Sequence, residues 1–285
     1  MKVLVTGVAG QLGYDVVEEL NKRNIENLGV DIADFDLTDE NSVKEAVRNY
    51  SPTHIVHCAA YTAVDKAESD EENCRSVNVD GTRYIAEAAR DLNAKLMHFS
   101  TDYVFDGTSK VTPWEIDDEK NPQSVYGLTK SQSEDAVSDT LEKYFILRLS
   151  WVFGKNGHNF IKTMLNMARQ GKSIRVVADQ IGAPTYTKDV AVLACDMLPT
   201  QKYGIYHTPN QGATTWFDFA SEIFELSGLA PDLRACSTAD YPAAAKRPLN
   251  SRLSLKSLDK AGFDRLPHYK SALERYLTEI DFGRQ

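Results

Sequence analysis

The run Val3-Leu4-Val5-Thr6-Gly7-Val8-Ala9-Gly10-Gln11-Leu12-Gly13 decides the fold of this chain. Its three apolar residues make a short buried strand, and the glycines at 7, 10 and 13 fall just where apolar residues take up helical spacing. A strand–turn–helix junction uses glycine for a tight turn, for close approach of backbone to a pyrophosphate, and for packing helix on sheet. The start of the helix then presents unpaired N–H groups and a partial positive charge to phosphate oxygens. Asp31, 24 positions after Gly7, closes the following strand, where a carboxylate can hydrogen-bond an adenosine ribose. Gly7, Gly10, Gly13 and Asp31 therefore predict a dinucleotide site. A purely structural glycine turn would not require an acid at that place.

Outward from this junction, short apolar runs at 3–5, 28–30, 55–58, 96–99 and 145–149 alternate with helical patterns near 12–23, 39–49, 70–92 and 124–142. Strands that are almost continuously apolar, separated by helices, belong to a parallel sheet covered on both faces. Right-handed crossovers wind such a sheet in two directions, so the expected fold is α/β, a Rossmann-type doubly wound parallel sheet. Beyond residue 150 the alternation weakens. Helices near 158–170, 187–197, 215–227 and 269–280 and a strand at 174–177 are still readable, while 204–248 is rich in Pro, Gly, Thr and Ala. The expected division is a dinucleotide-binding domain over 1–150, its sheet also taking the strand at 174–177, and a smaller, mainly substrate-binding lid domain over 151–285.

Composition limits the partners. The chain has 285 residues and a formal net charge of −9, from 41 acidic against 32 basic residues. That balance argues against binding a nucleic-acid polymer, which relies on a basic footprint. No stretch approaches the roughly 18 apolar residues of a membrane span. Val3-Leu4-Val5 is too brief for a signal-peptide core, and the scattered Cys58, Cys74, Cys195 and Cys236 contain no CxxC pair. These features predict a cytoplasmic protein with reduced cysteines.

Tyr126-Gly127-Leu128-Thr129-Lys130 places a phenol and an ammonium at i and i+4, on one helix face. A nearby cation stabilises phenolate, lowers the tyrosine pKa and prepares it to exchange a proton with a carbonyl or alcohol. With 13 tyrosines, about one such pair is expected by chance, so the spacing alone carries little weight. Ser100-Thr101 ends the fourth strand, 25 residues before Tyr126 when counted from Thr101. A hydroxyl there either faces the ligand crevice or caps the next turn.

A glycine-rich first turn, a hydroxyl after strand four and a YxxxK about 25 residues later resemble the short-chain dehydrogenase/reductase superfamily, in its extended, nucleotide-sugar-modifying branch. Further blocks narrow the resemblance: Cys58-Ala59-Ala60-Tyr61-Thr62-Ala63-Val64-Asp65-Lys66-Ala67-Glu68, Ser100-Thr101-Asp102-Tyr103-Val104-Phe105-Asp106-Gly107, Arg148-Leu149-Ser150-Trp151-Val152-Phe153-Gly154, Gly182-Ala183-Pro184-Thr185-Tyr186 and Arg247-Pro248-Leu249-Asn250-Ser251-Arg252-Leu253. In this order they are similar to the dTDP-4-dehydrorhamnose reductase family and span nearly the whole chain. The resemblance implies Thr101, Tyr126 and Lys130 as catalytic hydroxyl, proton donor and cofactor-anchoring lysine. It implies Gly10, Gln11 and Leu12 as the pyrophosphate turn, Asp36 and Leu37 on the adenine side, and Ala59, Ala60 and Tyr61 along the cofactor. Val64, Thr101, Asp102, Tyr103, Trp151 and Arg247 fall where the family meets its nucleotide sugar. A base or deoxysugar could pack on Trp151, and Arg247 could pair with a phosphate.

The implied activity is reduction, by NADPH or NADH, of the C4 keto group of dTDP-4-dehydro-L-rhamnose to dTDP-L-rhamnose, in a monomer or homodimer. Asp31 would repel a 2′-phosphate and favours NADH, whereas the resemblance allows NADPH. Two alternatives keep the same cofactor residues. One is another nucleotide-sugar reductase or epimerase of the branch. The other is a non-catalytic relative, such as a methionine adenosyltransferase regulatory subunit. Some members of the family hold magnesium at a dimer contact. Asp15 lies in the corresponding region and reads as a solvent-facing acid, so no metal is expected. Neither a GxSxG elbow nor a GxxxxGK[ST] loop is present.

Overall fold

The computed structural model describes residues 1–280 and Phe282. In chain order the elements are β1 (Lys2–Thr6), α1 (Gln11–Lys22), β2 (Glu26–Val30), α2 (Glu40–Tyr50), β3 (His54–His57), α3 (Val64–Ala67), α4 (Glu71–Arg75), α5 (Gly81–Asp91), β4 (Lys95–Thr101), α6 (Val125–Thr140) and β5 (Tyr144–Leu149). Then come β6 (Val152–Phe153), α7 (Phe160–Arg169), β7 (Ile174–Val177), β8 (Ile181–Gly182), β9 (Thr185–Tyr186), α8 (Thr187–Met197), β10 (Gly204–His207), β11 (Thr214–Thr215), α9 (Trp216–Leu226), β12 (Leu233–Cys236), α10 (Lys256–Ala261) and α11 (Tyr269–Glu279). Six parallel strands form the central sheet in the order β10-β5-β4-β3-β1-β2.

Alternation along each strand explains the continuous apolar runs. Val3 and Val5, with Val56, Met97, Phe145 and Leu147, pack against α1 and α8 through Val16, Leu20, Val190 and Ala194. Leu4, Ile55, Leu96 and Ile146 point the other way, onto Val43, Val47, Ile85, Ala89 and Val137 of α2, α5 and α6. Helices cover both faces, so the few polar side chains on the strands, such as His57, His98 and Arg148, are buried. The strand order reverses between β1 and β3, and ligands of such sheets enter beyond the carboxyl ends at that switch point.

The strand at 174–177 does not join this sheet. Among the described residues β7 pairs only with β12, in parallel from Ile174↔Leu233 to Val177↔Cys236. Ile174 and Val176 face a second core with Ile161 and Leu165 of α7, Phe219 and Ile223 of α9, and Leu273 and Tyr276 of α11. Burial against those helices holds the strand away from the main sheet. The sixth place is taken by β10, whose Gly204–His207 pairs with Phe145–Arg148 and lies inside the segment read as irregular. The helix expected over 70–92 is interrupted at Ser76–Asp80 by a π turn that directs Asn78 into the interior. Such turns are frequent at functional sites.

Candidate active site

At the switch point, Gly7 adopts φ +73°, a left-handed conformation natural to glycine. A Cβ on it would stand 2.6 Å from the Ala59 nitrogen, so β1 and β3 exit in backbone contact. The Gly10 N–H donates to the Gly7 carbonyl (3.0 Å), and Gly10 begins α1 without any side-chain cap. The first N–H groups of α1 therefore lack side-chain partners, as pyrophosphate binding requires. Gly13 packs on the Gly7 carbonyl. Gln11 Oε1 accepts from the Gly154 N–H (2.9 Å) and from Asn159 Nδ2 (3.0 Å), which leaves its main chain for a phosphate, and Leu12 is core. Asp31 accepts from the Ala9 N–H (2.7 Å), tying the acid to the glycine turn. Asp36 accepts from the N–H and hydroxyl of Thr38, and Leu37 packs against Gly81. This donor set and cradle fit a dinucleotide.

The exit of β3 is held by Asn78. Its Oδ1 accepts from the Tyr61 N–H (2.8 Å), and its Nδ2 donates to the Tyr61 carbonyl (3.2 Å) and to Thr129 Oγ1 (3.1 Å). Ala59 N–H donates to Thr6 Oγ1 (3.2 Å), Ala60 follows it half-buried, and Tyr61 Oη donates to Asp70 (3.0 Å).

Two acceptors set the start of α6. Ser124 Oγ accepts from the Gly127 N–H (3.1 Å), and Glu68 Oε1 from the Val125 N–H (2.9 Å). Gly127 lies where a Cβ would come 2.4 Å from the Tyr103 carbonyl, so the helix start can settle on the 3-10 turn Asp102–Val104. The rings of Tyr103 and Tyr126 meet edge to face at 5.5 Å. Thr101 caps that turn, accepting from the Tyr103 N–H (3.3 Å), and donates its own proton to Asp102 Oδ1 (3.1 Å). Asp102 is buried beneath Thr101, and burial raises its carboxyl to about 6.

The expected lowering of Tyr126 by Lys130 does not occur. Burial raises the phenol above its ordinary value, and a hydrogen bond with Thr101 offsets this only in part. Lys130 is itself buried and depressed to about 8, despite Glu134 one turn further along the helix. Burial thus keeps Tyr126 protonated, the form that a proton donor needs.

Beyond these residues opens a cavity of about 760 Å³, whose lining includes Tyr103, Trp151, Phe160, Met164, Trp216 and Arg247. Trp151 follows β5 with φ +48°, a strained conformation for a bulky residue, and its carbonyl accepts from the Thr185 N–H (3.1 Å). One face of its indole stacks on Trp216, with centroids 3.6 Å apart. Gly182 closes over the ring fusion: a Cβ there would lie 2.4 Å from Cε2 and 2.7 Å from both Cζ2 and Nε1. Trp151 consequently offers a ligand its edge rather than a free face. Arg247 donates to Tyr103 Oη (3.0 Å) and to Asp65 (2.5 Å). Asp65 also accepts from the Ala245 N–H (3.1 Å), and Val64 beside it is half-buried at the start of α3.

Asn78, Asp65, Glu68, Phe160 and Trp216 escaped the reading of individual residues. An asparagine inside a helical pattern is the one local signal among them. Asp65 and Glu68 sit in a quoted block without an assigned role.

Asp15 is buried, not solvent-facing, and bonded to Thr187. Among the described residues no group of three or more His, Cys, Asp or Glu could hold a metal, and no helix is long and apolar enough to cross a membrane. Burial lifts the Asp15 carboxyl from its ordinary 3.8 to about 6. A raised folded-state pKa contributes stability below the unfolded value, and that contribution is lost as pH rises through the folded value. Asp15→Asn should therefore gain on the parent between pH 3.8 and about 6, by up to ~3 kcal/mol. Urea midpoints of the two proteins, compared across that window, test this; a gap independent of pH would contradict it.

Residues 1–282 match the family model described as the RmlD substrate binding domain. The chain belongs to this family. It is 40% identical to the dTDP-4-dehydrorhamnose reductase of Aggregatibacter actinomycetemcomitans, over 91% of this chain and 92% of that protein. It is 37% identical to the spore coat polysaccharide biosynthesis protein SpsK of Bacillus subtilis, over 98% and 97%. Among solved structures, the dTDP-4-dehydrorhamnose reductase of Bacillus anthracis in complex with NADP superposes with a TM-score of 0.95 at 38% identity, covering 98% of this chain and all of that one. Family membership, the six-stranded sheet and the glycine turn make the chain an NAD(P)H-dependent reductase.

Proposed function

We propose that the protein reduces the C4 keto group of dTDP-4-dehydro-L-rhamnose to the alcohol of dTDP-L-rhamnose. The observation that carries this reading is a protonated, half-buried Tyr126 beside Thr101, reached through Tyr103 from a cavity edged by aromatics and Arg247. The cradle of Gly7, Gly10, Gln11 and Asp31 would hold a reduced nicotinamide dinucleotide, which would supply the hydride for the carbonyl carbon and be left oxidised. Tyr126 gives its proton to the carbonyl oxygen, and Thr101 orients that oxygen. Lys130 holds the cofactor ribose and replaces part of the charge that solvent would otherwise provide. Arg247, which lines the cavity while bonded to Asp65 and Tyr103, would pair with the diphosphate. Binding of the remote nucleotide orients the sugar for transfer.

Loss of NAD(P)H absorbance that depends on dTDP-4-dehydro-L-rhamnose tests the reaction, with dTDP-L-rhamnose identified as product. No turnover of that sugar, with turnover of another nucleotide sugar, would replace the substrate. Comparing kcat/KM for NADH and NADPH ranks the cofactors, since Asp31 opposes a 2′-phosphate. The stacked indoles support a further expectation. Trp216→Ala removes the platform under Trp151 and should raise KM for the nucleotide sugar roughly tenfold while kcat changes far less. An unchanged KM would remove this wall from the binding site.

A further inference from the structure

Behind Lys130 lies a buried polar pair that the reaction above does not use. His57 on β3 and His98 on β4 are each 1% exposed and stack with centroids 5.5 Å apart. His57 is bracketed by threonines: Nδ1 meets Thr6 Oγ1 at 2.8 Å and Nε2 meets Thr82 Oγ1 at 3.2 Å. His98 is used differently. Its Nε2 lies 3.2 Å from Lys130 Nζ and 2.9 Å from Ser133 Oγ, while Nδ1 has no partner among the described residues. Ser133 Oγ also lies 2.7 Å from the Lys130 carbonyl, so its single proton can go either to that oxygen or to a lone pair on His98 Nε2.

An ammonium only donates. Toward charged Lys130, then, His98 Nε2 must present its lone pair, with the imidazole proton on Nδ1. A buried N–H without a partner is costly, and such a tautomer persists only where the contact on the other nitrogen compensates. Burial, together with Lys130 and His57, holds His98 neutral. The ring is therefore an uncharged acceptor, fixed on the sheet side of the lysine. The other ionisable groups facing Lys130 are Glu134 on its own helix, Cys74 on α4 and Cys58 at the exit of β3.

We propose that His98 is a positioning residue: its Nε2 anchors the Lys130 ammonium on the sheet side, so that the remaining N–H bonds are presented to the dinucleotide. This rests on the reading of Lys130 as the cofactor-anchoring lysine. The test compares His98→Phe, His98→Asn and His98→Gln by NADPH affinity, measured from cofactor fluorescence with no sugar present, and by the split between KM for NADPH and kcat. Phe keeps an aromatic ring but has no acceptor. Asn is polar but too short to bring its oxygen to the Nε2 position, which Gln reaches.

The Phe and Asn variants should bind NADPH about tenfold or more weakly, with KM rising and kcat falling, and the Gln variant should recover most of the loss. Equal affinity in the three variants, whether near the parent or uniformly reduced, would overturn the proposal by making His98 a packing residue. If the Phe variant does not fold, the Asn–Gln comparison decides on the same criterion. Turnover of the parent protein is assayed separately. Its absence would count against the proposed reaction and leave the binding comparison intact.

Discussion

Tyr126→Phe should lower kcat by about 10²- to 10⁴-fold, the usual contribution of a positioned general acid, while the protein still binds NAD(P)H. The size of the loss follows from what surrounds the carbonyl site. Thr101 has one proton, for which Asp102 and the neighbouring oxygen compete, so it can orient the carbonyl but not protonate it. Asp102 lies buried next to Thr101, at 2% exposure. Lys130 faces His98. The phenol is thus the group with a proton free to give, and burial keeps that proton in place. Steady-state kinetics with saturating cofactor, beside a binding titration, separate lost chemistry from lost binding. Turnover near that of the parent would dismiss Tyr126 as donor.

The second large effect concerns stability. Arg148 on β5 is almost wholly buried and meets Glu134 of α6 through two bonds of 2.8 Å each. It also donates to the Ile116 carbonyl (3.2 Å), and His207 of β10 lies 3.3 Å away. One side chain thereby joins the sheet, the helix of Tyr126 and Lys130, and the strand that completes the sheet. Arg148→Met leaves the Glu134 carboxylate buried with Lys120 at 3.6 Å as its remaining cation. The expected cost is about 3–5 kcal/mol, because a buried charge loses its partner rather than its solvent. Pairing the change with Glu134→Leu should restore much of the stability, since two apolar residues can replace a buried ion pair with little loss. Urea unfolding of the single and double variants measures both. A single variant within about 1 kcal/mol of the parent would show that the pair is not a structural tie.

The parts of the fold visible in the sequence are those set by local pattern. β1, its glycine turn and α1 lie within 22 residues, and every step of that path has a signature. Tyr126 and Lys130 were visible because a helix fixes their relation. The remainder depends on contacts between distant segments. β10 is four residues with a glycine and a histidine, and only its pairing with β5 makes it a central-sheet strand. β7 was legible as a strand, but its partner could not be inferred, since apolar alternation says nothing of which sheet receives it. Trp216 enters the site because Trp151, 65 positions earlier, stacks on it. The direction of the Tyr126 pKa shift is hidden from the sequence for a related reason. The i,i+4 spacing counts the lysine's charge but not the burial that outweighs it.

The short helix α3 and the residue after it bear on how this protein can diversify. Asp65 receives the Ala245 N–H and Arg247, while Glu68 receives the first N–H of α6. One helical turn therefore holds the 245–247 segment on one side and the start of α6 on the other. Adding or deleting a residue between 60 and 68 would turn one of those carboxylates away from its partner. The cavity wall at Thr163, Ala239 and Tyr241 lies outside both of these contacts. Drift or engineering toward a different sugar has room to exchange side chains along that wall, whereas the length of the 60–68 segment is held constant by both of its neighbours.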